Sequence, residues 1–212
     1  VTAPVTTTRV LVASRNAKKL KELRRILAEA RIETVEVVGL DEVDPYPEAP
    51  ETGATFEDNA LLKAREGARY TGLPTVADDS GIEVDALNGM PGVLSARWSG
   101  GHGDDTANLE LLLGQLRDVP AERRGAAFVS TCALVDPVSG DEIVVRGTWP
   151  GAVATAPVGD GGFGYDPIFL PEGESGSAAQ LRPEEKDAVS HRGRALRELI
   201  ATELFTRLAG GA

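Results

Sequence analysis

The chain has 212 residues, 42% of them hydrophobic, with a formal net charge of −11 and a single cysteine. That content is enough for a full core and argues against disorder. The acidic balance argues against duplex DNA or RNA as partner, whose binding needs a basic surface, but not against one small polyanion delivered with a divalent ion. One cysteine with two histidines leaves neither an internal disulfide nor a zinc constellation.

No apolar run reaches the length of a membrane span, and no secretory leader is recognisable, so a cytoplasmic protein is expected with neither nucleic acid nor membrane as partner. Residues 1–8 (VTAPVTTT) read as a flexible N-terminus and 9–212 as one domain. Arg9–Ala13 reads as a buried strand. Leu20, Leu23, Ile26, Leu27 and Ala30 then recur at helical spacing, with Asn16 as the N-cap. Arg15, Lys18 and Lys19 crowd the positive end of that helix dipole, where cations are unfavourable unless an anion joins them. A solvated basic face fits the same residues.

Val35–Leu40 is a second strand, followed by an acidic loop, DEVDPYPEAPETG, whose prolines rule out a helix. Thr55-Phe56-Glu57-Asp58 resembles a capping box and opens a helix to about Tyr70, with Gly72 and Pro74 as stop signals. Asn59 and Lys63 lie four apart and share a face of it; Lys63 and the preceding Glu51 offer one phosphate donor and one metal ligand. The stretch from Leu73 to Gly100 organises the rest. Val76 and Ala77 run into Asp78-Asp79-Ser80, and Gly81 gives room for a turn before Ile82, Val84 and Ala86 alternate with polar residues as in a half-buried strand. Adjacent carboxylates at a strand end stay ionised most easily beside a cation; a polar turn is the plainer alternative.

Asp104 or Asp105 caps a helix with Leu109, Leu112, Leu113 and Leu116 as its apolar stripe. Ala126–Val135 and Asp141–Trp149 read as two strands of a hairpin, with Cys132 and Trp149 as packing residues. GDGGFG (Gly159–Gly164) matches a dinucleotide motif by letter only, since Tyr165-Asp166-Pro167 cannot start the helix that motif requires. It reads instead as a loop presenting Phe163 and Asp166. Ala178–Leu181 forms a short turn and Pro183 opens another. His191 and Arg192 then begin a C-terminal amphipathic helix with Leu196, Leu199, Ile200 and Leu204 on one side.

Taken together, SRNAKKLKEL (Ser14–Leu23), ETGATFEDNALLKA (Glu51–Ala64), ADDSGIEVDAL (Ala77–Leu87), PGVLSARWSG (Pro91–Gly100), GFGYDPIF (Gly162–Phe169) and SHRGRAL (Ser190–Leu196) resemble the inosine triphosphate pyrophosphatase family. The likeness runs in order over nearly the whole chain. Its visible departure is Ser14-Arg15-Asn16, where the family usually has T-G-N. The resemblance implies an α/β fold, a long mixed central sheet flanked by helices in two lobes with a nucleotide cleft between them, and typically a homodimer. It implies Mg2+-assisted hydrolysis of ITP, dITP, XTP or dXTP to the monophosphate and pyrophosphate. Glu51 and Asp79 would bind the metal, and Asp79 would also be the general base. Ser14, Arg15, Asn16, Ala17, Lys18, Lys19 and Lys63, with Asp78 and Ser80 in support, would hold the triphosphate. Phe163, Gly164, Tyr165, Asp166, Lys186, His191 and Arg192 would take the base. A phosphomonoesterase is disfavoured because Asp78 and Asp79 are adjacent rather than spaced as D-x-D. A nucleotide sensor without catalysis is an alternative that the paired acidic residues beside the phosphate loop argue against, since a pure binder gains little from them.

Overall fold

A computed structural model describes residues 7–47, 50–101 and 103–210. Six strands form one sheet in the order β2-β1-β3-β4-β5-β6. They are β1 (Thr8–Val12), β2 (Val35–Val38), β3 (Thr75–Val84), β4 (Gly125–Val135), β5 (Glu142–Val153) and β6 (Phe169–Pro171). Strand β1 pairs parallel with β2 (Val10 opposite Val37) and with β3 (Leu11 opposite Thr75), whereas β5 and β6 run antiparallel, so the sheet is mixed as expected. Parallel neighbours need a crossover. Helices α1 (Ala17–Glu29) and α2 (Phe56–Thr71) lie in the connections that follow β1 and β2. Further along come α3 (Asp105–Gln115), α4 (Pro183–Val189), α5 (His191–Ile200) and α6 (Glu203–Leu208). Among the described residues no helix is long and apolar enough to cross a membrane.

The chain divides into two compact units, one of residues 1–79, 131–146 and 195–212, the other of residues 80–130 and 147–194. In the first, Leu23, Ile26 and Leu27 of α1 pack with Val10, Val12, Val35 and Val37 of the sheet and with Leu196, Leu199 and Phe205. Helix α2 turns a face of small residues inward. Ala60, Ala64 and Ala68 recur every four residues and meet Ala13, Ala77 and Ala133. Gly67 belongs to the same face, where an added Cβ would come within 2.7 Å of Thr75 Cγ2. This close seating brings the polar residues of that face, Asn59 and Lys63, down to β3. In the second unit Trp149, Phe169, Phe128, Ile168, Ile82 and Leu112 form a separate core.

Several expectations need correction. Asp78–Gly81 is not a turn: β3 runs unbroken from Thr75 to Val84. Gly81 serves close approach instead, because a Cβ there would sit 2.3 Å from Ser95 Oγ, the atom that accepts from Ile82 N–H at 2.9 Å. The strand alternation stops at Val84, and Ala86 lies in a 3-10 turn. Leu40–Glu42, where the acidic loop begins, forms another such turn. Strand β5 continues past Trp149 through Pro150 to Val153. The single C-terminal helix is two, since Thr202 Oγ1 accepts from Phe205 N–H and caps a new start. Of the expected flexible N-terminus, residues 1–6 lie outside the described residues, but Thr8 is already in β1, opposite Val35.

Candidate active site

In the first unit the site grows from β3. Asp78 and Asp79 are both 7% exposed. Each carboxylate has a lysine ammonium of its own within reach. Asp78 Oδ2 meets Lys19 Nζ at 2.9 Å. Asp79 Oδ1 meets Lys63 Nζ at 3.3 Å, and the same ammonium reaches Glu51 Oε1 at 3.0 Å. Asn59 Nδ2 donates to the other oxygen of Asp79 at 3.0 Å, while Asn59 Oδ1 accepts from Gly53 N–H at 2.8 Å and so fixes the amide. The capping box of Thr55 and Asp58 sets the start of α2 and thereby the height of Asn59 and Lys63 above the sheet.

Burial lifts the Asp79 carboxyl above the ordinary aspartate range, Lys63 and Asn59 only partly opposing it while Glu51 adds to it. Burial alone would lower the Lys63 ammonium, but Asp79, Asp78 and Glu51 together outweigh that and hold it above an ordinary lysine. The result is a permanently charged lysine beside a carboxylate unusually ready to take a proton.

The loop before α1 supplies the rest. Asn16 caps the helix, its side chain accepting from Lys18 N–H at 2.9 Å. Ser14 Oγ accepts from Asn16 N–H at 3.2 Å, so that hydroxyl folds into its own turn. Ala17 and Lys18 are exposed in the first turn. Arg15 is exposed too, and with Lys63, Ala13, Tyr46 and Glu66 it lines a cavity of about 260 Å3.

Glu51 and Asp79 converge on one cation, the Lys63 ammonium, at 3.0 and 3.3 Å. Both are hard oxygen donors, the kind magnesium takes one or two of while keeping water or phosphate oxygens for the rest. Among the described residues no three His, Cys, Asp or Glu gather to hold an ion unaided. The donor set therefore fits a divalent ion completed by a polyphosphate.

The second unit holds an aromatic pocket of about 100 Å3 lined by Ser80, Phe128, Phe163, Tyr165, His191 and Arg192, among others. Phe163 is half-buried, not a core plug; Lys186 Nζ lies 5.1 Å and the Arg192 guanidinium 5.8 Å from its ring centre. Asp166 Oδ2 accepts from Lys186 Nζ at 2.5 Å and from Phe163 N–H at 2.8 Å. Gly164, at φ +60°, passes its N–H to Asp105 Oδ2 at 2.8 Å. Tyr165 is buried, its hydroxyl donating to Ser95 O at 2.8 Å; burial, helped by the nearby Asp105 charge, pushes that phenol far above the usual tyrosine range. His191 stacks on Phe128 with ring centres 4.9 Å apart, and Arg192 Nη2 donates to Ser80 Oγ at 2.9 Å.

Lys19, Glu51, Lys63, Asp78 and Asp79 thus form one cluster, and Ser80, Phe163 to Asp166, Lys186, His191 and Arg192 form one pocket. Asn59, Asp105 and Ser95 were not among the expected site residues. Asn59 had a signal, its i, i+4 spacing from Lys63. Asp105 had a weaker one, an aspartate left over once Asp104 caps α3. Ser95 lies within the motif Pro91–Gly100, but nothing local to it marks its role.

A mixed α/β fold in which one unit holds a buried strand aspartate sharing Lys63 with a loop glutamate, and the other holds a cation-flanked aromatic pocket, is that of a protein that handles nucleotides. More particularly, the chain belongs to the Ham1 family, whose model matches residues 10–202. It is 71% identical over 196 residues to a dITP/XTP pyrophosphatase of Nocardia farcinica, covering 92% of this chain and 95% of that one. A solved dITP/XTP pyrophosphatase of Mycobacterium abscessus is 65% identical, with TM-score 0.76 over 92% of this chain and 100% of the other. The Ham1 protein of Staphylococcus aureus superposes with TM-score 0.81 at 38% identity, covering 92% of this chain and 97% of that one.

Proposed function

We propose that the chain hydrolyses non-canonical purine nucleoside triphosphates, dITP and XTP and their ribo- and deoxyribo- counterparts, to the monophosphate and pyrophosphate. The observation that carries the chemistry is Asp79, a buried carboxylate whose raised proton affinity sits among Lys63, Asn59 and Glu51. A general base works best when its proton affinity is brought toward the working pH. In this reading Asp79 takes a proton from water as that oxygen bonds to the α-phosphorus. The bond from the α-phosphorus to the bridging oxygen breaks, and its electron pair leaves with pyrophosphate.

Lys19, Lys63 and the Ser14–Lys18 loop neutralise the phosphate charge and hold the chain in line for attack. Glu51 and Asp79 would hold Mg2+, which when bound polarises the phosphoryl oxygens and stabilises charge on the leaving group. For the base, the 6-oxo group of hypoxanthine or xanthine is an acceptor, where adenine presents an amino donor. Donors from His191 and Arg192 suit the former and would be left unmatched by adenine, a penalty of about 1–3 kcal/mol for each group. Phe163 would stack on the ring, with Asp166 and Lys186 at its polar edge.

The same reading makes the enzyme a cytoplasmic homodimer acting on dissolved nucleotides, with the net charge of −11 supporting no nucleic-acid partner. The test supplies ITP, XTP, GTP and ATP with Mg2+ and separates pyrophosphate from orthophosphate. Pyrophosphate from ITP and XTP, lost on adding EDTA, is expected. Orthophosphate alone, equal rates on all four, or rates indifferent to EDTA overturn the reading.

A further inference from the structure

Phe163 can recognise a base only if its loop is held still, and the loop's own bonds do not place it. The bond from Phe163 N–H to Asp166 Oδ2 closes three residues on and stiffens the segment internally. At the next residue the anchor comes from outside. Gly164 N–H is held by Asp105 Oδ2, a side chain from the first turn of α3, 59 positions earlier. Helix α3 does not need this carboxylate as its cap, because Asp104 already fills that role by accepting from Ala107 N–H at 3.0 Å. Asp105 also lines the aromatic pocket with Phe163 and Arg192.

Gly164 takes φ +60°, a left-handed conformation open to glycine because it has no Cβ, and fixing a glycine costs more conformational entropy than fixing any other residue. A charged acceptor on its amide sets the direction of the peptide joining it to Phe163. One residue further on, the Tyr165 hydroxyl is tied to Ser95 O, and Ser95 Oγ in turn receives Ile82 N–H from β3 and donates to Gly92 O at 2.6 Å. The aromatic loop is therefore pinned at two consecutive residues, once to α3 and once to the segment that packs against β3 beside Ser80.

We propose that Asp105 is a positioning residue for base recognition: it acts through the Gly164 amide to hold Phe163 in stacking register, and touches neither the phosphates nor the reacting atoms. The proposal rests on the purine triphosphate reading above. It predicts a division between binding and chemistry. Asp105→Ala should raise KM for ITP about tenfold, as expected for one charge-assisted hydrogen bond, with kcat within about twofold of wild type. Asp105→Asn keeps an acceptor oxygen at the same reach and should restore most of the lost affinity.

Three variants and one baseless ligand test this. Steady-state ITP hydrolysis is measured for wild type, Asp105→Ala, Asp105→Asn and Asp104→Ala, with inorganic tripolyphosphate as competitive inhibitor and thermal unfolding recorded for each. The expected result is a raised KM in Asp105→Ala alone, rescue in Asp105→Asn, and an unchanged inhibition constant for tripolyphosphate. Asp104→Ala loses the helix cap and should lower the melting temperature without moving KM. The proposal is overturned if Asp105→Ala leaves KM unchanged, if tripolyphosphate weakens in parallel with ITP, or if Asp104→Ala reproduces the KM change. Wild-type protein inactive on ITP and XTP would instead reject the parent reading, so the two failures are distinct.

Discussion

Replacing Lys63 by methionine keeps the length and apolar stem of the side chain and deletes only its charge. The ammonium lies 3.0 Å from Glu51 Oε1 and 3.3 Å from Asp79 Oδ1, with its side chain 12% exposed. At an effective dielectric near 20, each contact corresponds to about 5 kcal/mol of Coulomb attraction. Most of that is offset by the loss of hydration on burial, and removing one partner of such a pair costs about 3–5 kcal/mol in practice. Glu51 is 26% exposed on its side chain and recovers some solvation, which puts the expected loss near the lower figure, about 3 kcal/mol. The Asp79 carboxyl, already lifted by burial, would rise further without its principal cation. Urea unfolding at neutral pH and the pH profile of ITP hydrolysis measure both effects. Lys63→Met should unfold at lower urea, its acid limb of activity should move to higher pH, and added Mg2+ should recover part of the stability by serving the exposed carboxylate pair. A variant as stable as wild type, with an unmoved acid limb, would refute the argument that Lys63 holds this cluster together.

Asp79→Asn should lower turnover at least about 100-fold, as loss of a general base does. Its stability should change by no more than about 2 kcal/mol: relief of a buried charge opposes an amide hydrogen turned toward one of two donors, Asn59 and Lys63. In the wild type the raised Asp79 pKa contributes stability below the ordinary aspartate value and loses it as pH rises through the folded-state value, so ionised Asp79 costs stability near neutrality. Activity should accordingly fall on acidification at a pH above that of an ordinary aspartate, and a profile flat through that region would contradict the assignment. Arg124→Met should cost at least about 3 kcal/mol by urea unfolding, because the buried guanidinium serves the carbonyls of Leu116, Val119 and Ala154 together. Gly81→Ala should also destabilise, since the new Cβ would meet Ser95 Oγ and Gly92 O at 2.3 and 2.6 Å; a melting temperature equal to wild type would show that Ser95 yields readily.

Local chemistry in the sequence determined a good deal about this protein. Hydrophobic spacing defined α1 and the leucine stripe of α3, and the capping box with Gly72 and Pro74 defined α2; Asn16 and Thr55 cap as expected, and of Asp104 and Asp105 it is Asp104 that caps α3. Such features depend on residues three or four apart, which helical geometry brings together whatever the rest of the chain does. The crowding of Arg15, Lys18 and Lys19 at the positive end of the α1 dipole and the adjacent pair Asp78-Asp79 likewise pointed to ions. What the tertiary structure alone decided are contacts between distant segments: Lys63 reaching both Glu51 and Asp79, Asn59 fixed by Gly53, Asp105 on Gly164, and Ser95 between Tyr165 and Ile82. Gly81 makes the difference plain. Its lack of a side chain suggested a bend, whereas packing uses the vacant space for Ser95 and leaves the strand continuous. A single residue type permits several backbone outcomes, and only the neighbours supplied by folding select among them.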